Sequence, residues 1–453
     1  MKNHKVLLRG GVMKKGALTG LLLFGMFFGA GNLIFPPALG VLSGENFWPA
    51  IFGFVVSGVG ISVIALIVGT LNPKGYVYEI SRKISPFFAT IYLVALYLAI
   101  GPFFAIPRTA TTSFEIGIAP LLGDGNPSFW LLLFTALYFI AAYLIALNPS
   151  KILNSIGRIL TPVFAILIII LVVLGFFKYS STSPLPASAA YSTAQAFGTG
   201  FIEGYNTLDA LASIAFSVVA VNTLKQLGFS SKKEYVSTIW SVGLVVALAF
   251  SALYIGLAFL GNHFPVPADV LSSDTNKGVY ILSQATQAIF GPSAQIFLAA
   301  MVIVTCFTTT AGLIVSSGEF FADRFPRFSY KIYATIFTLI GFGIANLGLN
   351  NIITYSVPVL LVLYPITICI VLITIVNKFA PLSTYGMQMT VGVVTILSLV
   401  EVLAGKLGWT AVSAFISSLP LAGQSLAWFL PAVVGIILSL FLPNKQESEV
   451  FEM

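Results

Sequence analysis

Long apolar runs recur along the whole chain, and they dictate what solvent it folds in. A helix needs roughly 20 mostly apolar residues to cross a bilayer. Runs of that size lie at about 16–40, 46–71, 86–107, 128–147, 152–177, 193–222, 234–260, 292–318, 329–346, 351–376, 384–405 and 425–442. The longest connections on one side are 108–127, 178–192 and 261–291, and the last has room for a small helix around 277–290. Composition agrees, since 58% of the 453 residues are hydrophobic and only 8% charged, against roughly 25% charged in soluble proteins. No soluble core of this size hides so much apolar surface. The expected fold class is therefore an all-α polytopic membrane protein, with about 12 transmembrane helices in a lipid bilayer.

The basic start MKNHKVLLRGGVMKK looks like a signal peptide, but the apolar run behind it is interrupted and no small-residue cleavage site closes it. Cys306 and Cys369 lie inside apolar runs, and His4 and His263 lie outside them. Neither a disulfide framework nor a metal cluster is expected from that usage.

The formal charge of +7 raises the question of nucleic acid, and its distribution answers it. The amino-terminal segment, loops 72–85, 148–158, 223–233 and 319–331, and Lys378 and Lys445 hold 18 of the 22 lysines and arginines. Arg108, Lys178, Lys277 and Lys406 are the other four. Cytoplasmic loops collect Lys and Arg, so the alternation places both termini in the cytoplasm. The positive charge is a topology signal, and no nucleic-acid partner or obligatory protein partner is expected.

The first run is broken by FFGAGNLIFPPALG, residues 27–40. Glycine weakens a helix interior by roughly 1 kcal/mol relative to alanine, and proline by about 3. Gly29, Gly31, Pro36 and Pro37 thus disfavour a straight helix, and a break survives in a membrane only where protein or a watery cavity surrounds it. Free amides at such a break favour anions and free carbonyls favour cations. Small residues four apart, such as Gly25 and Gly29, also serve helix packing, but packing does not explain Asn32 at mid-membrane. A second break, GFIEGYNTLDA at 200–210, brings Glu203, Gly204, Tyr205, Asn206 and Asp209 into the sixth run. Intramembrane acids usually face a cavity or a partner, although both lie near a surface if the run boundaries shift. Five spans separate the breaks, and Asn32 and Asn206 are 174 residues apart. An odd number of spans turns a second copy upside down, and paired interruptions in inverted repeats point to a transporter site. The implied organisation is a cytoplasmic segment 1–15, repeats at 16–177 and 178–376, and two further helices with a cytoplasmic tail in 377–453.

The eighth run contains TCFTTTAG, in which Thr305, Thr308 and Thr309 share a helical face. Hydroxyl and carbonyl oxygens suit a hard cation such as sodium, while threonines alternatively bond back to their own helix. TATT at 109–112, behind Pro107 and Arg108, reads as a gate or loop at the outer end of span three.

GAGNLIFPP (29–37), GPFFAIPRTATTSFE (101–115) and EGYNTLDALASIAF (203–216) together resemble the bacterial branched-chain amino acid carrier family, along essentially the whole chain. The resemblance implies a LeuT-like five-plus-five inverted repeat with discontinuous helices 1 and 6, in a multi-pass protein of the bacterial plasma membrane. It implies sodium-coupled uptake of leucine, isoleucine and valine. By the same resemblance, backbone groups of Gly29, Ala30, Gly31 and Asn32 hold the substrate carboxylate. Gly25 and Phe28 carbonyls and the Thr308 and Thr309 hydroxyls, or Thr309 and Thr310 one position on, face sodium. The break near Tyr205 and Asn206 takes the ammonium and side chain. The arginine that follows the first-span motif in the leucine transporter is absent, with Ile34 and Phe35 in that region, so the outer gate must differ. Proton coupling through Glu203 or Asp209, or another small solute on the same fold, is the alternative. No HExxH or GxSxG motif suggests an enzyme, and no ring-forming pore signature favours a channel.

Overall fold

The computed structural model describes residues 16–446 except 18, 22, 26, 72–74, 123–125, 148–150 and 227–230. The predicted cytoplasmic segment 1–15 and the end of the tail, 447–453, lie outside the described residues. A helix occupies each of the twelve predicted runs. Seven helical stretches among the described residues are long and apolar enough to cross a membrane, and Val163–Tyr179, Tyr330–Ala345 and Phe429–Ser439 are shorter apolar helices. Large apolar side chains such as Trp48, Phe52, Leu137, Trp240, Leu339 and Phe441 stand on the outer surface. Outward apolar side chains at this density would be an aggregation hazard in water and are what lipid requires.

Local sequence sets the ends. Ser85 accepts a hydrogen bond from Phe88 N at 3.0 Å, and Pro86 follows at the first helical position, where its missing N–H costs nothing. Asn276 caps Lys277–Phe290 through Val279 N, the small helix expected at 277–290. Gly44, at φ 49°, turns the chain between Ala30–Ser43 and Phe47–Val55. After Phe379, a two-stranded antiparallel clasp pairs Leu382 with Gln446 and Ser383 with Lys445, which ties the chain end to the start of Thr384–Leu407.

Two features depart from the sequence reading. The amphipathic stretch Gly75–Lys83, expected as loop, is helical, with Lys83 and Glu79 forming a buried ion pair at 2.6 Å. The third span does not end near residue 107. It kinks at Gly101 (φ −92°, ψ −124°), restarts as Ala105–Ser113 and remains helical to Leu121. Pro102 falls in the kink and Pro107 in the first turn of the restarted helix, where prolines are tolerated. Residues 109–112 are consequently a buried helix rather than an outer loop, and Arg108, only 3% exposed, belongs to neither membrane face.

Packing joins the first span to the seventh and the sixth to the second. A Cβ on Gly40 would lie 1.9 Å from the Ala258 carbonyl oxygen, and one on Gly261 2.1 Å from that of Pro37. A Cβ on Gly200 would lie 1.9 Å from the Ala50 oxygen, and one on Gly53 2.2 Å from that of Phe197. In lipid, where no hydrophobic force drives helices together, such small-residue contacts supply close packing.

Candidate functional site

The described residues of 16–27 are helical, and residues 28 and 29 are not. Gly29 is extended (φ −137°, ψ −169°), and Ala30–Ser43 begins behind it. Gly29 N donates to Asn32 Oδ1 at 2.9 Å. In an unbroken helix that N–H would point at the Gly25 carbonyl, so Asn32 diverts it. Pro36 and Pro37 do not break the chain; the helix continues through them.

The sixth span breaks differently. Ala196–Glu203 tightens into a 3₁₀ turn, Gly204–Thr207, and Leu208 adopts φ 65° before Asp209–Gln226 starts. Thr207 Oγ1 donates to the Gly204 carbonyl at 2.9 Å. A left-handed leucine costs roughly 1–2 kcal/mol, and its side chain is buried, which offsets that strain.

Asp209 and Asn32 join the two breaks. Asn32 Nδ2 donates to Asp209 Oδ2 at 2.9 Å and to Oδ1 at 3.1 Å. The Tyr254 hydroxyl, from the seventh span, donates to the same carboxylate and touches Asn32 Nδ2. Arg108 reaches in from the third span. Its guanidinium donates to the Asn206 carbonyl at 2.7 Å and lies 5.3 Å from the centroid of the Phe35 ring. A narrow cavity, about 410 Å³ of empty space counting its open mouth, lies between these elements. Gly29, Ala30, Gly31, Asn32, Arg108, Thr109, Thr207, Leu208, Asp209 and Thr309 line it, together with Phe27, Ile100, Ala212, Phe216 and Leu313. Following the spans back and forth places these last five in one half of the bundle, the half holding 16–27 and 209–226. In the opposite half Gly278 of the small helix sits against the first span, where a Cβ would lie 1.8 Å from the Ile34 oxygen.

The predicted residues separate accordingly. Gly29, Ala30, Gly31, Asn32 and Asp209 line the cavity, while Asn206 borders it through the carbonyl that Arg108 holds. Gly204 packs on the second span, Tyr205 stacks on Tyr364 with centroids 4.2 Å apart, and half-buried Glu203 accepts from Asn206 Nδ2 at 3.1 Å. None of these three lines the cavity.

The threonines separate too. Thr308 bonds back to the Thr305 carbonyl at 2.9 Å, whereas Thr309 has two acceptors, that carbonyl at 3.2 Å and Phe28 O across the gap at 3.4 Å. Thr305 Oγ1 is buried without a partner. Thr310 turns to Thr109 and Tyr138 instead, so the one-position shift is not adopted. The Thr309 hydroxyl and the Phe28 carbonyl thus face each other across the gap between the eighth and first spans.

Sequence reasoning missed Arg108 and Tyr254. Arg108 carried a signal, an ionisable residue inside an apolar stretch, which the neighbouring prolines disguised. Tyr254 carried none, because a tyrosine in an apolar run reads as core.

The chain is similar throughout to known transporters. The family model described as branched-chain amino acid transport protein matches residues 12–446. A Staphylococcus saprophyticus protein with the provisional name branched-chain amino acid carrier protein is 42% identical over 96% of this chain and 98% of its own length. A similarly named protein of Staphylococcus aureus USA300 is 43% identical over 93% of this chain and 95% of its own. Among solved structures, inward-facing Mhp1 aligns with TM-score 0.56 at 14% identity, covering 94% of this chain and 90% of that one. MhsT in complex with L-phenylalanine aligns with TM-score 0.53 at 17% identity, covering 93% and 97%. These likenesses establish the LeuT fold in a multi-pass membrane protein, and family and fold are those of transporters rather than enzymes. The chain belongs to the branched-chain amino acid transport protein family.

Proposed function

We propose that this protein takes up leucine, isoleucine and valine across the bacterial plasma membrane by sodium-coupled alternating access, with its Lys/Arg-rich face in the cytoplasm. The observation that carries the reading is the pair of helix breaks facing one cavity, held together by Asn32 and Asp209. The substrate ammonium sits beside Asp209, whose bonded partners are the neutral Asn32 and Tyr254. The aliphatic side chain lies among Phe27, Ile100 and Phe216, where one methylene is worth only roughly 1–3 kcal/mol, so discrimination among the three amino acids is modest. A sodium ion bound by Gly25 O, Phe28 O and Thr309 would link the first and eighth spans electrostatically. Thr309 already spans that gap to Phe28 O. With the positive face inside, the cavity extends toward the cytoplasm and the Gly278 contact closes the outer side. Spans one, two, six and seven then rock against the rest.

A second reading couples transport to protons through Asp209, on the ground that its carboxylate is buried among neutral donors. Leucine uptake into proteoliposomes, with sodium and proton gradients imposed separately, decides. Accumulation driven by sodium alone supports the proposal. Accumulation driven only by a proton gradient replaces it with the second reading.

A further inference from the structure

Arg108 is a buried charge with no directly bonded counter-ion; Asp209, across the same cavity, acts on it only through space. Arg108 is 3% exposed, makes no salt bridge among the described residues, and leaves Nε without any partner. Its contacts are one backbone carbonyl, that of Asn206, and the face of Phe35. A carbonyl dipole and an aromatic ring lower the cost of burying a guanidinium, but a full charge in a low-dielectric interior is normally paired with an anion. The group also sits where a ligand would be. Arg108 lines the cavity, and its Nη2 is 3.0 Å from where a Cβ on Gly31 would stand, beside the start of the second half of the first span. The same cavity holds the opposite imbalance, since Asp209 is bonded by neutral donors only. One guanidinium and one carboxylate, facing a shared space but not bonded to each other, complement a zwitterion that would sit between them.

We infer that Arg108 is the residue that binds the α-carboxylate of the transported amino acid, and that it makes the site select amino acids over amines. The planar guanidinium binds a carboxylate side-on through two parallel N–H groups, a fork that single backbone amides at the first break do not offer, and of those Gly29 N is already committed to Asn32. The inference rests on the cavity being the substrate site, as proposed above, and it assigns the carboxylate to a side chain of the third span.

The test compares binding of leucine with that of 3-methylbutylamine, which is leucine without its carboxylate, to purified protein in nanodiscs. The wild type should prefer leucine. Arg108→Gln should weaken leucine about 100-fold, the scale of a charge-assisted pair, while changing amine affinity by less than about 3-fold. Arg108→Lys keeps the charge and loses the fork, so leucine should weaken by about 10-fold with the amine again unmoved. It decides the matter should Arg108→Gln not yield folded protein by thermal unfolding. Equal weakening of leucine and amine would mark Arg108 as a strut between the third and sixth spans and overturn the inference, as would unchanged leucine affinity. Where the wild type binds an amino acid outside the branched-chain group, the proposed substrates fall, and the same ratio is read with that amino acid and its own decarboxylated amine. Binding of no amino acid overturns both statements.

Discussion

The two helix breaks solve one problem by different means. In the first, a side chain substitutes for the helix: Asn32 takes the Gly29 amide on its carbonyl oxygen and gives its own N–H₂ to Asp209. In the second, the backbone does the work through a 3₁₀ turn and a left-handed Leu208, with Thr207 closing the turn. Their glycines differ in the same way. Gly31 faces Arg108 and the Asn206–Thr207 backbone, whereas Gly204 is pressed on the second span, where a Cβ would come 2.0 Å from Ser57 Oγ and 2.9 Å from Phe54 O. The first break spends its glycine on the site and the second on packing. Similar composition therefore hides different mechanics, and substitutions should separate them.

The largest effect belongs to Gly204→Ala. Overpacking against backbone costs typically 1–3 kcal/mol, so the thermal midpoint in detergent should drop and little functional protein should reach the membrane. A midpoint equal to wild type would show that the second break is not a packing joint. Next comes Asn32→Ala, which strips the Gly29 amide of its acceptor and Asp209 of a donor. Leaving a buried polar group unsatisfied costs roughly 1–3 kcal/mol, and leucine uptake should fall by at least about 10-fold with the protein still folded. If uptake persists, the bridge between the breaks is dispensable. Thr309→Ala removes the hydroxyl that spans to Phe28 O and should raise the sodium needed for half-maximal uptake about 10-fold, equivalent to ~1.4 kcal/mol. Unchanged sodium dependence removes that oxygen from the ion site. The smallest effect is expected of Gly29→Ala. Its φ of −137° suits any residue, and its Cβ would meet nothing nearer than 3.6 Å. The thermal midpoint should equal that of wild type, since a change without a named clash lies within about 0.5 kcal/mol. A lowered midpoint would show that the first break has less room than its backbone angles and spacing allow.

Much of the fold was legible because membranes leave the chain few options. Apolar length and the placement of Lys and Arg located the runs, and even the small helix 277–290 followed from loop length. The third span escaped because Pro102 and Pro107 look like helix stops in isolation. Only the kink at Gly101 and the restart at Ala105 make them compatible with a continued helix. Within the site, Asn32 and Asp209 stood out as polar groups in apolar runs. Tyr205 and Glu203 stood out equally, yet one stacks on Tyr364 and the other turns to Asn206. Sequence reports that a residue is out of place in lipid, but helix rotation decides which neighbour resolves it, and rotation is set by packing with distant spans.

The glycine seams between spans one and seven, and between six and two, bring backbone against backbone at Gly40, Gly261, Gly200 and Gly53. No rotamer flip can alter the spacing there, because no side chain lies in between. Under the proposed rocking, each couple would swing as a single blade, with the slack at residues 28–29 and 204–208, where the helices break. A covalent staple inside a couple would leave turnover intact, whereas one staple across the two couples would freeze the machine in whichever stance it was caught.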